Sequence, residues 1–271
     1  MPVSATVAAK HSCLAYDDRA DLESCARAYL GAGLAAGERV LYAAPGGPGG
    51  LTGWLADAAV TDPDSVLFVA LETAYPAGTQ LDPQAQVAAY AGATEAALSA
   101  GYAGLRVVAD VTPLVSTPAG LAAFARYEAL VDSYIAGAPM RAICAVDRGA
   151  AGDRPVAELA CLHPAANVDG VRFTLRSGPP GGPAAVLAGE LDIAADRLFP
   201  VALAHVRPRA AGGRIVIDAA GLRFADHRAL LHLHRYGEAA GAIVVLRTPL
   251  PAVARLAELV GLARVRVEGP R

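Results

Sequence analysis

The feature that most constrains this chain is a rhythm in which short, continuously apolar runs alternate with longer segments of helical periodicity. Residues 39–44, 65–71, 105–110 and 141–146 are apolar runs, and helical patterns occupy 21–36, 51–58, 83–100 and 120–136 between them. In the first of these patterns Leu22, Cys25, Ala26, Tyr29 and Leu30 recur at spacings of three and four, and Gly37 closes it. Strands without polar alternation are covered on both faces, and parallel neighbours need helical crossovers of one hand. The chain is therefore expected to be α/β, with a mostly parallel sheet flanked by helices.

After His163-Pro164 the rhythm changes. Strand-like runs at 171–176 and 184–191 are separated by Ser177-Gly178-Pro179-Pro180-Gly181-Gly182-Pro183. Val171-Arg172-Phe173-Thr174-Leu175 alternates with period two and needs a neighbour to pair with, so the Gly/Pro segment reads as a hairpin loop rather than a linker. That places one domain at 1–167 and a second at 168–271, the latter continuing with a helix (194–206), strand (214–218), helix (227–239), strand (242–247), helix (251–259) and strand (264–268). With 271 residues, 54% of them hydrophobic, each domain has enough material for its own core.

Composition removes several function classes. A formal charge of −3 without any Lys/Arg-rich run, Lys10 being the only lysine, is not the footprint of a phosphate-backbone partner. No apolar run reaches the roughly 18–20 residues that span a bilayer, and the first residues lack a basic start followed by an apolar stretch. The expectation is a cytoplasmic protein with no membrane and no direct nucleic-acid contact. Cys13, Cys25, Cys144 and Cys161 are too scattered for a disulfide framework and read as thiols, most of them buried.

The second domain carries specific residues. Gly189-Glu190-Leu191-Asp192 and the run Asp218-Ala219-Ala220-Gly221-Leu222-Arg223-Phe224-Ala225-Asp226, opening a helix, resemble the STAS domain of sulfate transporters and anti-sigma-factor antagonists. The resemblance implies docking on an anti-sigma factor with kinase activity, which phosphorylates a serine just after the aspartate matching Asp226. Phosphate at a helix start is a physically sensible switch, because the helix dipole and free N–H groups favour an anion there. Here the sequence departs from the family: Asp226-His227-Arg228-Ala229 offers no hydroxyl. Asp192, Asp226, His227 and Arg228 are the candidate partner-binding residues. Asp226 has a structural alternative as the N-cap of its helix. His227 would make docking sensitive to pH near neutrality. His227 and His234 share a helix face while His232 lies elsewhere, which argues against a metal there.

The first domain resembles the MEDS sensory family, which is similar to the RecA/KaiC-type ATPase core. The resembling residues are His11, Leu14 and Tyr16; Ala32-Gly33-Leu34 with Gly37-Glu38-Arg39-Val40-Leu41; Gly101-Tyr102 with Gly104-Leu105-Arg106-Val107-Val108; Tyr127-Glu128; Cys144 with Asp147-Arg148; and His163-Pro164. RecA-like enzymes cradle phosphates in a glycine-rich loop with a lysine. The matching stretch, from Ala43 to Thr52, has glycines but no lysine, and Pro45 and Pro48 remove N–H donors. Where the family reads Glu-x-x-Trp, this chain has Asp110-Val111-Thr112-Pro113. No catalytic residue is expected.

A sensor of this architecture is expected to bind its ligand at the carboxyl ends of the strands, with His11, Arg106, Asp110, Tyr127, Glu128 and Asp147 as candidates. For Arg106 a buried ion pair with Glu128 or Asp147 is the structural alternative, and for Tyr127 it is core packing. His11-x-Cys13 and Cys161-x-His163 bracket the domain and would form an S2N2 metal or redox site if its ends met. One-residue spacing is not the usual ligand loop, so buried thiols and a terminal His-Pro turn carry more weight. No metal ligand is expected on that basis, and the sequence names no cofactor. The leading expectation is a signalling adaptor that senses a small molecule or a partner and engages an anti-sigma factor or related regulator without turnover, with self-association of either domain a fold-level analogy. The alternatives are a degenerate RecA-like ATPase and a non-switching scaffold.

Overall fold

Six parallel strands organise the first part of the chain in the computed structural model, which describes residues 9–57, 62–75 and 81–269. The start of the chain, read above for a leader, and Ala58, the expected end of a helix, lie outside the described residues. The strands are β1 (His11–Tyr16), β2 (Arg39–Ala44), β3 (Val66–Ala70), β4 (Leu105–Asp110), β5 (Met140–Asp147) and β6 (Ala165–Ala166), in spatial order β3-β2-β4-β5-β1-β6. Register places His11 opposite Ala142 and Cys13 opposite Cys144, while Ser12 lies opposite Ala165 on the other side.

The crossovers are α1 (Arg19–Ala35), α2 (Thr52–Asp57), α3 (Leu71–Ala74), α4 (Pro83–Ser99), α5 (Pro118–Gly137), α6 (Arg148–Ala151) and α7 (Asp153–Ala160). Local chemistry sets their starts. Asp18 accepts from Ala20 N, Asp82 from Gln84 N and Ala85 N, and Thr117 from Gly120 N, with proline at the first position of α4 and α5. The α1 stripe of Leu22, Ala26, Tyr29 and Leu30 packs on Leu14, Tyr16, Val40, Tyr42, Val108 and Ile143. Each large side chain so buried contributes about 1.5–3 kcal/mol. Period two sends His11, Cys13, Val107, Ala109, Ala142 and Cys144 to the opposite face, where Val107, Ala109, Ala142 and Cys144 meet Phe124 and Tyr127 of α5.

The second sheet contains β7 (Phe173–Ser177), β8 (Ala185–Leu191), β9 (Arg214–Ala225), β10 (Ile243–Arg247) and β11 (Val265–Glu268), in the order β11-β10-β9-β8-β7. The Gly/Pro segment is the expected hairpin loop: β7 and β8 are antiparallel, with Ser177 opposite Ala185 and Phe173 opposite Gly189. The other pairs are parallel and are crossed by α8 (Leu198–Val206), α9 (His227–Ala239) and α10 (Pro251–Val260). Phe173 and Phe199 meet edge to face at 5.6 Å in its core. Gly189 adopts φ +95°, and a Cβ there would collide with the backbone of Arg172 and Phe173.

β9 runs to Ala225, well past the expected end at 218. Asp218-Ala219-Ala220-Gly221 reads as a turn, but irregular parallel pairing with β8 carries the ladder across it to Leu191 opposite Ala225. Contacts divide the chain into two compact units, one around each sheet; the second takes in Glu128–Ser133 of α5 and Ala157–His163 as well as the segment from Asp169, because those helical stretches pack with it rather than with the sheet they follow in the chain. No helix among the described residues is long and apolar enough to cross a membrane.

Candidate functional sites

The carboxyl ends of β1, β4 and β5 hold a polar network centred on the buried Asp110. Tyr16 donates its hydroxyl to Asp110 Oδ2 at 2.9 Å, and Arg19 Nη1 lies 3.1 Å from the same oxygen. The Thr112 hydroxyl donates to Asp110 Oδ1 at 2.7 Å and accepts from Asp147 N at 2.9 Å. Asp147 Oδ1 in turn caps α6 through Ala150 N at 3.0 Å. Burial, reinforced by the negative charge of Asp110, raises the Tyr16 pKa well above its ordinary value and keeps it a donor.

The glycine-rich loop after β2 uses its amides internally. Gly46 N donates to the Glu72 carboxylate at 3.2 Å and Gly50 N to Glu23 Oε1 at 3.2 Å. Arg19 and Arg27 flank Glu23 at 3.8 and 3.6 Å. The Gly46 and Gly50 amides of this loop thus hold side-chain carboxylates.

The six expected cleft residues do not share one place. Only Asp110 and Asp147 belong to the network at the strand ends. Arg106 faces α1 instead: its Nε lies 2.5 Å from Glu38, Nη1 donates to Tyr29 O at 3.0 Å, and the guanidinium stacks 4.8 Å from the Tyr29 ring. The expected partners Glu128 and Asp147 are replaced by Glu38 because the side chain at this register points to the α1 face, where Gly33 leaves room for it. Burial raises the Tyr29 pKa, partly offset by Arg106. Tyr127 lines a small, largely closed apolar cavity with Tyr90, Val107, Leu114, Phe124 and Cys144, its ring 5.4 Å from Phe124.

His11 opens β1, at the end opposite the network, and its Nε2 lies 3.8 Å from Cys144 Sγ. Glu128, in α5, lies 3.1 Å from His163 Nε2. His163 Nδ1 is 2.9 Å from Leu159 O, and since a carbonyl only accepts, that nitrogen carries the proton. All four side chains are buried. His11 thus meets Cys144, and His163 meets Glu128. Cys161 instead donates to Glu158 O at 3.3 Å.

In the second domain Asp226 Oδ1 accepts from Ala229 N at 2.9 Å and is the N-cap of α9. Asp192 Oδ1 accepts from Ala194 N at 3.0 Å, and Asp226 N bonds Leu191 O at 2.9 Å, which sets the two turns side by side. His227 is exposed and Arg228 half-buried at the start of α9. Ile193 is 68% and Phe224 49% exposed on the same rim, two apolar side chains that residue-level reading passed over. Their exposure follows from strand and turn geometry that periodicity does not reveal. His232 pairs with Asp196 at 3.0 Å, a bond that lowers the Asp196 pKa, and His234 accepts from Arg264 N at 3.2 Å.

Comparison with known families agrees with this architecture. Residues 10–164 match the family model described as MEDS, the methanogen/methylotroph, DcmR sensory domain. Residues 178–267 match the model described as Mlab, STAS domain. No curated protein matches the chain.

Proposed function

Because the chain belongs to the MEDS family of sensory domains and carries a STAS domain behind it, we propose that it is a cytoplasmic signalling regulator acting by binding rather than turnover. In this reading the first domain takes up a small molecule, and the second docks on an anti-sigma factor or related regulatory protein. The observation that carries the docking half is the rim of Ile193 and Phe224 beside the exposed His227. Exposed apolar side chains on two joined turns that also carry Asp192, Asp226 and Arg228 have the composition of a binding patch. The helix start offers a kinase no hydroxyl between Asp226 and Ala229, so docking is not released by serine phosphorylation there.

For the sensory half, the cavity against β4, β5 and α5 has an apolar lining but holds only about a water as it stands, so it would have to open to admit a small apolar ligand. The carboxylates already bonded to the glycine-rich loop support binding without triphosphate handling.

The test titrates the full chain with a purified anti-sigma factor of the serine-kinase class. Micromolar or tighter binding is expected, weakened at least about tenfold by Ile193→Asp or Phe224→Asp. With ATP present, intact-mass measurement is expected to find no phosphate on the wild-type α9 start and one on a His227→Ser variant. Absence of binding, or binding indifferent to both rim substitutions, would overturn the reading.

A further inference from the structure

β11 closes one end of the second sheet, and its outer edge pairs with no other strand among the described residues. Register determines what that edge offers. β10 donates from Val244 N and Thr248 N to the carbonyls of Arg264 and Glu268, at 2.8 and 3.0 Å. Successive residues of a parallel ladder turn their N–H and C=O to opposite sides, so both groups of Val267 point outward, as does the C=O of Val265. The N–H of Val265 is already taken by Leu262 O at 3.2 Å. Outward groups left unpaired on a sheet edge are a template for another strand.

The side chains of this edge are complementary to themselves. Arg266 is exposed and forms no ion pair among the described residues. Glu268, two residues on, shares its face of the strand; Arg214 holds its carboxylate, and Arg247 Nε lies 3.7 Å from it. A second β11 laid antiparallel across a two-fold axis could take any of four registers. An axis at Val265 sets Arg264 against Arg266 of the second copy, one at Arg266 sets that guanidinium against its own counterpart, and one at Glu268 does so for the carboxylate. Each brings like charges together, which disfavours the pairing. An axis at Val267 does the reverse, setting Arg266 opposite Glu268 of the second copy at two symmetric places, in the closer, non-hydrogen-bonded pairs. At that same axis the outward N–H and C=O of Val267 bond their own counterparts, as a hydrogen-bonded antiparallel pair requires. Charge and backbone register thus select one axis by separate routes.

We propose that the second domain self-associates through β11, two copies joining edge to edge about a two-fold axis at Val267 into a sheet continuous across both. The axis places both α10 helices on one face of the joined sheet. On that side of β11 lies an open groove of about 340 Å3, lined by Val265 and Val267 and by the small residues Ala254, Ala257, Gly261 and Ala263. The grooves of the two copies face each other across the axis, and their small side chains leave room for the opposing helix. This surface shares no residue with the rim of Ile193 and Phe224, so pairing of two copies and docking of a regulatory protein succeed or fail separately.

The test follows the mass of the full chain by sedimentation equilibrium from low micromolar to about 100 μM. Wild type is expected to pass reversibly from one copy to two. Arg266→Glu, which has no ion pair to lose within the chain, should weaken dimerisation at least about tenfold by setting two carboxylates opposite each other. Val267→Pro removes the central outward N–H without breaking a bond to β10 and should weaken it as much; circular dichroism checks that both variants are folded, and Arg266→Glu decides should Val267→Pro unfold. Register is read with a short bismaleimide: Val267→Cys in a Cys25→Ser background should be linked into dimers, and Arg223→Cys in the same background should not. A chain that stays single throughout, a dimer as tight in Arg266→Glu as in wild type, or Arg223→Cys linked as readily as Val267→Cys would overturn the proposal.

Discussion

Gly33, inside α1, offers a test in which two effects of known size oppose each other. In an unobstructed helix, Gly→Ala stabilises by about 1 kcal/mol. Here an added Cβ would lie 2.9 Å from Arg106 Cδ, 3.0 Å from Arg106 Nε and 3.0 Å from Val40 Cγ1. Arg106 has little freedom to retreat, since Glu38, Tyr29 O and the Tyr29 ring all hold it. Overpacking of this kind costs about 1–3 kcal/mol. Loosening a mostly buried ion pair adds to it, full rupture being worth about 3–5 kcal/mol. Gly33→Ala is therefore expected to destabilise the first domain by a net amount of about 1–2 kcal/mol. Trp54 is the only tryptophan and packs on this domain's core, so its fluorescence in a urea titration reports this unit selectively. In an Arg106→Val background the penalty should fall by about 1 kcal/mol or more, because the obstructing atoms are gone. A midpoint at or above wild type for Gly33→Ala alone would refute the reasoning.

Three further outcomes are expected. Asp226→Ala should lower the stability of the second domain by about 1 kcal/mol through loss of the α9 cap, and an unchanged thermal transition would show that the cap is not holding the helix. Gly189→Ala, forced to φ +95° against the Arg172 and Phe173 backbone, should cost about 2 kcal/mol or more, read as a lower melting temperature by circular dichroism; tolerance without loss would contradict the described turn. Asp196 is held below its ordinary pKa by the His232 hydrogen bond, so its stabilising effect is present above its unfolded pKa and fades as pH falls through the folded value. In a His232→Leu variant the Asp196 carboxyl should titrate higher, followed by NMR, and an unmoved titration would remove that assignment.

The alternation of apolar runs and helical stripes made both sheets legible, because burial on two faces leaves a period that a single chain displays. The hairpin of β7 and β8 was readable for the same reason: Val171 to Leu175 alternates and demands a partner. β6 was not readable, since two residues carry no period, and neither was α7, too short to repeat its apolar stripe. The sites were harder. Asp226 as a cap follows from local chemistry, but Glu38 as the partner of Arg106 depends on which face a strand residue occupies, and register decides that. Likewise His11 meets Cys144 only because β1 inserts beside β5, a long-range adjacency that spacing along the chain does not encode.

The glycine-rich loop has a consequence for engineering this domain. Its amides at Gly46 and Gly50 already grip Glu72 and Glu23. Installing a lysine would leave two resident acids repelling any incoming polyphosphate, so no single substitution turns the loop into a phosphate cradle. Glu72 and Glu23 would both have to leave and a cation be added before these amides could face a polyphosphate.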